Sequence, residues 1–172
     1  MPEFIPVLTK DEIARLVRDL AGKISREYKG RDLVLIGVLN GAFVFLSDLI
    51  RELSIPVTID FVRVSSYGSG TTSSGTITLS KDIDVDVKGK DVLLVEDIVD
   101  TGLTLAYLID YMRSFGPNSV KVCTLLDKHE RREQHVSVDY ACWKIDEGFL
   151  VGYGLDYDEK YRELPGIYHL KF

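Results

Sequence analysis

The chain has 172 residues, a net charge of −6, a hydrophobic fraction of 45% and a charged fraction of 28%. Those values suit one globular domain and exclude a disordered chain. The acidic balance also argues against broad attraction to nucleic acid or anionic membrane, so a phosphorylated ligand needs local devices to hold it.

The longest apolar stretch, Leu33 to Leu46, is broken by Asn40 and is too short to span a bilayer. The Met1-Pro2-Glu3-Phe4 start carries no basic segment ahead of an apolar run, so the expected location is cytoplasmic. Cys123 and Cys142 show neither Cys-x-x-Cys spacing nor histidines at metal-ligand spacing, and read as buried thiols.

In chain order, Thr9 and Glu12 have capping-box spacing, and Ile13, Leu16, Val17, Leu20 and Ile24 recur on one helical face. Leu33 to Leu39 is a continuous apolar run of strand length, as expected for a strand covered on both faces. An Asn40-Gly41 turn and a helical pattern through Leu53 follow. Val57 to Val64 reads as a strand. The twelve residues Ser65 to Thr76 hold five serines, three glycines and three threonines, with Tyr67 the only large side chain. Such a segment buries little apolar area and is expected to form a flexible surface loop.

Ile77 to Leu79 reads as a short returning strand, and a turn near Gly89 leads into the apolar strand Val92 to Val95. A polar turn and a helix from about Thr101 to Phe115 come next, ended by Gly116 and Pro117. Val120 to Leu126, Tyr140 to Ile145 and Phe149 to Val151 complete the strands. Alternating strands and helices predict an α/β fold with a mainly parallel twisted sheet, in which ligands lie at the carboxyl ends of strands. The turns after Leu39, Val95 and Leu126 are therefore the places to look. No internal repeat or interdomain linker is evident, so residues 1–172 are read as one domain.

The most informative stretch is Val92-Leu-Leu-Val-Glu96-Asp97-Ile98-Val99-Asp100-Thr101-Gly102-Leu103-Thr104. Three carboxylates within five positions after a buried strand repel one another unless a cation or sugar hydroxyls offset the charge. Thr101 to Thr104 then opens a helix, where free amides, the helix dipole and two hydroxyls can converge on an anion. Hydroxyls or a metal at one end and a phosphate at the other describe ribose 5-phosphate. Read singly, the acids are a solvated turn and Thr101 a helix cap; it is the assembled pattern that points to a ligand.

That stretch resembles the phosphoribosyl pyrophosphate signature of type I phosphoribosyltransferases. Further matches run through Leu39-Asn40-Gly41-Ala42-Phe43, Ser66-Tyr67, Leu125-Leu126-Asp127-Lys128, Phe149 to Tyr157 and Tyr161-Arg162-Glu163-Leu164. Together they are similar to the hypoxanthine-guanine branch over nearly the whole chain. The resemblance implies that family's fold, with a small hood and a lid loop, and transfer of a phosphoribosyl group to a 6-oxopurine with Mg2+.

The resemblance also implies roles. Glu96 and Asp97 hold the ribose hydroxyls, directly or through Mg2+, and Thr101, Gly102, Leu103 and Thr104 wrap the 5-phosphate. Asp100, beside them in the ribose 5-phosphate site, is the acid/base group; read alone, it is a turn residue or a cap. Lys128 donates to the purine 6-oxygen, which disfavours adenine because an ammonium offers only donors; read alone, it is a surface lysine. Ile98, Phe149 and Leu150 complete the purine site, with Phe149 stacking on the base; an isolated Phe in a strand is otherwise a core residue.

For pyrophosphate the resemblance implies the Asn40 and Gly41 backbone and the Arg162 fork, and for the metal Glu96, Asp97 and Asp156. Read alone, Asp156 and Arg162 are each a member of some ordinary surface ion pair. The bond before Asn40 is often cis in this family, and many relatives carry lysine at this position. Ser66 and Tyr67 lead the lid, which excludes water during turnover. The family is usually dimeric or tetrameric. Two other functions remain open from the residues: a nucleotide-sensing regulator that contacts RNA, and an enzyme of the same fold acting on another base.

Overall fold

The computed structural model describes residues 1–67 and 76–172. The main sheet contains β2 (Leu33–Leu39), β3 (Thr58–Tyr67), β4 (Thr76–Lys81), β5 (Asp91–Val99), β6 (Ser119–Lys128) and β7 (Tyr140–Ile145). Its order is β4-β3-β2-β5-β6-β7, with every pairing parallel except that of β3 with β4. A second, three-stranded antiparallel sheet joins β1 (Glu3–Leu8), β9 (Ile167–Lys171) and β8 (Leu150–Val151). It forms the small hood beside the main sheet. The helices are α1 (Lys10–Glu27), α2 (Phe43–Glu52) and α3 (Leu103–Arg113).

The apolar runs of β2 and β5 follow from burial on both faces. Leu33 and Leu35 of β2 and Leu93 and Val95 of β5 pack with Ile13, Val17 and Phe45 of α1 and α2. The alternate residues Val34, Ile36, Val92 and Leu94 pack with Leu105, Leu108 and Met112 of α3. Helix α1 starts at the expected capping box, where the Thr9 side chain accepts from the Glu12 amide and the Glu12 carboxylate accepts from the Thr9 amide. Because α2 covers one face and α3 the other, the crevice between the carboxyl ends of β2 and β5 is the topological switch point where α/β sheets bind ligands. No helix of the described residues is long and apolar enough to cross a membrane.

Several boundaries differ from the sequence reading. Strand β5 extends to Val99, so Glu96 and Asp97 belong to the strand end rather than the turn; its pairing with β6 continues to Val99 opposite Asp127. Helix α3 begins only at Leu103, because Gly102 at its N-cap has φ +84°, a left-handed conformation outside the helix. Ser65, Ser66 and Tyr67, read as loop, are the end of β3, paired with Thr78, Ile77 and Thr76. The rest of the expected loop, 68–75, lies outside the described residues. Strands β1 and β9 were not anticipated.

One buried carboxylate anchors the base of the β3–β4 hairpin. Asp60 accepts from the amides of Phe61 (2.8 Å), Asp84 (2.7 Å) and Val85 (3.1 Å), and Lys81 Nζ lies 3.4 Å away. Burial opposes its ionised form, but the three amides and Lys81 outweigh it and lower its pKa. A depressed carboxylate contributes stability above its unfolded pKa of about 3.9 and loses it as pH falls through the lower folded value. Asp60→Asn is therefore expected to cost about 1–3 kcal/mol in urea unfolding at neutral pH. The difference from wild type should shrink toward pH 3; a pH-independent difference would show that the charge of Asp60 plays no part.

Candidate active site

The carboxyl end of β5 carries Glu96, 8% exposed, and Asp97 beside it. Burial raises the Glu96 pKa well above the ordinary carboxylate range, and the neighbouring Asp97 charge adds to the shift. Burial raises Asp97 as well, against the pull of hydrogen bonds and of Arg162. Among the described residues neither acid forms an ion pair within 4.0 Å, and no group of three acid, His or Cys ligands is assembled. Asp156 therefore does not join Glu96 and Asp97 in one three-ligand cluster.

Beyond Val99 the chain bends through Asp100, Thr101 and Gly102 into α3, enclosing a cavity of about 100 Å³ lined by Glu96, Ile98, Asp100, Thr101, Gly102 and Thr104. The Leu103 amide donates to Thr101 Oγ1 at 3.3 Å, a local turn just ahead of the Gly102 N-cap. Asp100 is not the cap. Its Oδ1 lies 3.8 Å from Lys128 Nζ and its Oδ2 3.5 Å from Arg131 Nη1.

Lys128 ends β6 with only 8% of its side chain exposed, which removes the surface-lysine reading. Glu130 Oε2 lies 3.7 Å from the same ammonium and also accepts from the Gly148 amide at 3.3 Å. Gly148 precedes Phe149, whose ring is 50% exposed and meets Tyr157 edge-on at 5.5 Å. Phe149 is thus not a core residue; an apolar ring left in solvent can take a flat ligand. Leu150 is buried in β8, paired with His169.

The turn after β2 approaches from the other side. The Leu39–Asn40 bond is cis. A Cβ on Gly41 would lie 1.8 Å from Asp97 Oδ2, so this turn closes directly on the acid pair. The Ala42 and Phe43 amides are used within the turn, donating to the carbonyls of Val38 and Asn40. Behind it, a Cβ on Gly154 would lie 2.3 Å from the Gly41 carbonyl oxygen, and Arg162 Nη1 donates to the Gly154 carbonyl at 2.7 Å. Arg162 Nη2 also lies 3.4 Å from Asp156 Oδ1, so these two pair with each other. The backbones of Ser66 and Tyr67 end β3.

The sequence-predicted residues therefore gather in two groups: Asp97, Gly41 and Arg162 on the β2 side, and Asp100, Thr101, Gly102, Thr104 and Lys128 on the β6 side, with Glu96 next to Asp97 in the chain and lining the cavity of the second group. A groove of about 780 Å³ lies elsewhere, between α1, α2 and the segment Tyr153 to Pro165, and shares Arg162 with the site. The sequence reading missed Glu130, Arg131 and Arg132, which lie in a polar run with no hydrophobic period to mark their contacts.

Residues 7–158 match the family model described as phosphoribosyl transferase domain, and the chain belongs to that family. Within it, the chain is 46% identical over 167 residues to the hypoxanthine-guanine phosphoribosyltransferase of Mycobacterium avium, covering 94% of this chain and 82% of that protein. It is 45% identical to the enzyme of that name from Aquifex aeolicus, covering 94% and 92%. The crystal structure of a hypoxanthine-guanine phosphoribosyltransferase from Bacillus anthracis superposes with a TM-score of 0.92 at 42% identity, covering 99% and 100% of the two chains.

Proposed function

We propose that the chain transfers the 5-phosphoribosyl group of phosphoribosyl pyrophosphate to hypoxanthine or guanine, yielding the purine nucleoside monophosphate and pyrophosphate in purine salvage. The observation that carries this reading is the bend after β5. Buried acids lie at one end, a cavity of phosphate size opens at a helix N-terminus at the other, and Asp100 and Lys128 face each other 3.8 Å apart beside it. The named relatives act as phosphoribosyltransferases on the same class of base.

In this reading the amides and hydroxyls of Thr101 to Thr104 bind the 5-phosphate, while Glu96 and Asp97 bind the ribose hydroxyls. The Gly41 turn and Arg162 bind pyrophosphate as it departs. Phe149 stacks on the purine, flanked by Ile98 and Leu150, and Lys128 donates to its 6-oxygen. The purine ring nitrogen attacks the anomeric carbon, the bond to pyrophosphate breaks with its electron pair, and Asp100 accepts the ring proton.

The oxygen donors of Glu96, Asp97 and Asp156 suit Mg2+, which uses one or two carboxylates together with substrate phosphates rather than a protein cage. Bound there, Mg2+ would neutralise charge on the phosphorylated substrate. The reading includes a cytoplasmic protein that self-associates as a dimer or tetramer; Phe43, 47% exposed at the start of α2, borders the large groove and supports such a contact.

The test is pyrophosphate release by the purified protein with phosphoribosyl pyrophosphate, Mg2+ and each of adenine, hypoxanthine, guanine, xanthine and uracil. Activity with hypoxanthine or guanine and none with adenine is expected; turnover of adenine or uracil alone refutes the reading. Lys128→Ala is expected to raise KM for the active 6-oxopurine. A hydrogen bond to a charged group contributes about 1.5–3 kcal/mol, equivalent to roughly 10–150-fold. Unchanged kinetics in that variant would remove Lys128 from base recognition.

A further inference from the structure

Three consecutive carbonyls of the phosphate-facing bend are held by one short segment. Arg132 donates from Nε to the Asp100 carbonyl at 3.0 Å and from Nη2 to the Val99 carbonyl at 3.2 Å. The amides of Glu133 and Gln134 both donate to the Thr101 carbonyl, at 2.9 and 3.0 Å. Arg132 Nη2 also reaches the Lys128 carbonyl at 2.9 Å and Asp127 Oδ1 at 2.7 Å.

Both members of this ion pair are largely withdrawn from water, with side-chain exposures of 16% for Arg132 and 6% for Asp127. A desolvated guanidinium needs such a partner, and its rigid fork can serve several fixed acceptors at once where a lysine ammonium holds fewer in place. Asp127 Oδ2 in turn lies 3.2 Å from His129 Nε2. The segment is pressed close to the bend: a Cβ on Gly102 would lie 2.4 Å from the Gln134 carbonyl oxygen and 3.2 Å from Arg132 Cδ.

In a planar trans peptide the carbonyl of one residue and the N–H of the next point in opposite directions. Holding the carbonyls of Val99, Asp100 and Thr101 toward residues 132–134 therefore turns the N–H groups of Asp100, Thr101 and Gly102 the other way. The Thr101 and Gly102 amides donate to no protein acceptor among the described residues. Successive amides on one side of a bend make an anion-binding concavity. No lysine or arginine lines the cavity there among the described residues, so its backbone must supply the positive character.

We infer that Arg132, held by Asp127, is the positioning residue of the phosphate-binding bend. It keeps the Val99 and Asp100 carbonyls turned out, next to the Thr101 carbonyl that the Glu133 and Gln134 amides hold, so that the amides following them face the 5-phosphate, and the same fork ties the main chains of Asp100 and Lys128 together. Arg132 itself touches no substrate. The inference rests on the proposed reading of this bend as the ribose 5-phosphate site.

The test compares binding of inosine 5′-monophosphate and of inosine, by calorimetry, to wild type, Arg132→Ala, Arg132→Lys and Asp127→Asn. Arg132→Ala should bind the monophosphate roughly 10–100-fold more weakly, as for residues that orient ligand-binding groups, with a clearly smaller loss for inosine and with guanidinium in the buffer restoring the loss. Asp127→Asn should lose less, in the same direction. Arg132→Lys should fold with its charge retained and still lose monophosphate affinity, which covers the case in which the alanine variant does not fold. Wild-type monophosphate affinity in the variants, or an equal loss for inosine and its monophosphate, overturns the inference. If wild type itself does not prefer the monophosphate to inosine, it is the reading of the bend as a phosphate site that fails, and Arg132 loses its proposed role with it.

Discussion

Asp100→Asn should lower kcat by about 10²–10⁴-fold, the contribution typical of a positioned acid/base group, while leaving the affinity for phosphoribosyl pyrophosphate close to wild type. The separation is expected because Asp100 makes two kinds of contact. Its carbonyl is held by Arg132 Nε, and that bond belongs to the main chain. Its carboxylate lies between two cations, Lys128 Nζ and Arg131 Nη1, and its buried Oδ1 has no hydrogen-bond partner. Asparagine keeps the volume and the backbone bond and removes only the proton-accepting charge. Steady-state kinetics in both directions, with calorimetric binding of phosphoribosyl pyrophosphate, would check the split. Equal turnover in the two proteins removes Asp100 from the chemistry, and a large loss of binding at unchanged kcat would make it a substrate-binding group instead.

The central sheet was legible because its strands are buried on both faces. Leu33 to Leu39 and Val92 to Val95 read as unbroken apolar runs for the same reason that their alternate residues enter two different cores. Helix α1 was legible from its cap and its single apolar face. By contrast, β1 and β9 pair with each other across almost the full chain, Glu3 opposite Lys171. β1 is short and contains Pro6, so its identity depends on a partner that no local window contains.

The same contrast governs the site. Glu96, Asp97, Asp100 and the Thr101 to Thr104 opening are contiguous, and their crowding of like charge ahead of a helix marks them within a single short window of sequence. Lys128 and Phe149 carried no such mark, and each read alone pointed the wrong way: the lysine is buried and the phenylalanine exposed. Only the family resemblance singled them out. Arg132 was missed because its partners are carbonyl oxygens, which every residue possesses and no sequence pattern distinguishes.

Gly41→Ala should reduce kcat/KM for phosphoribosyl pyrophosphate by about 100-fold, the scale expected when a reacting group is displaced by roughly 1 Å. Gly41 is not among the residues with positive φ, so alanine is compatible with its own backbone. The conflict is with a neighbour, since the added methyl would lie 1.8 Å from Asp97 Oδ2 and 2.7 Å from its Cγ. The turn cannot easily retreat: its Gly41 carbonyl is backed by Gly154, where a Cβ would stand 2.3 Å away, and the Gly154 carbonyl is held by Arg162. The Asp97 carboxylate must therefore swing aside, which disturbs the proposed ribose and metal contacts and the pyrophosphate turn together. Overpacking of this kind costs about 1–3 kcal/mol of stability, so the variant should remain folded. Gly22→Ala, inside α1 with only Arg26 Nη1 nearby at 3.3 Å, is the matched control, expected to gain about 1 kcal/mol from helix propensity and to keep full activity. Wild-type kcat/KM in folded Gly41→Ala would mean that the turn and Asp97 do not act as one surface, and would separate the pyrophosphate side of the site from the ribose side.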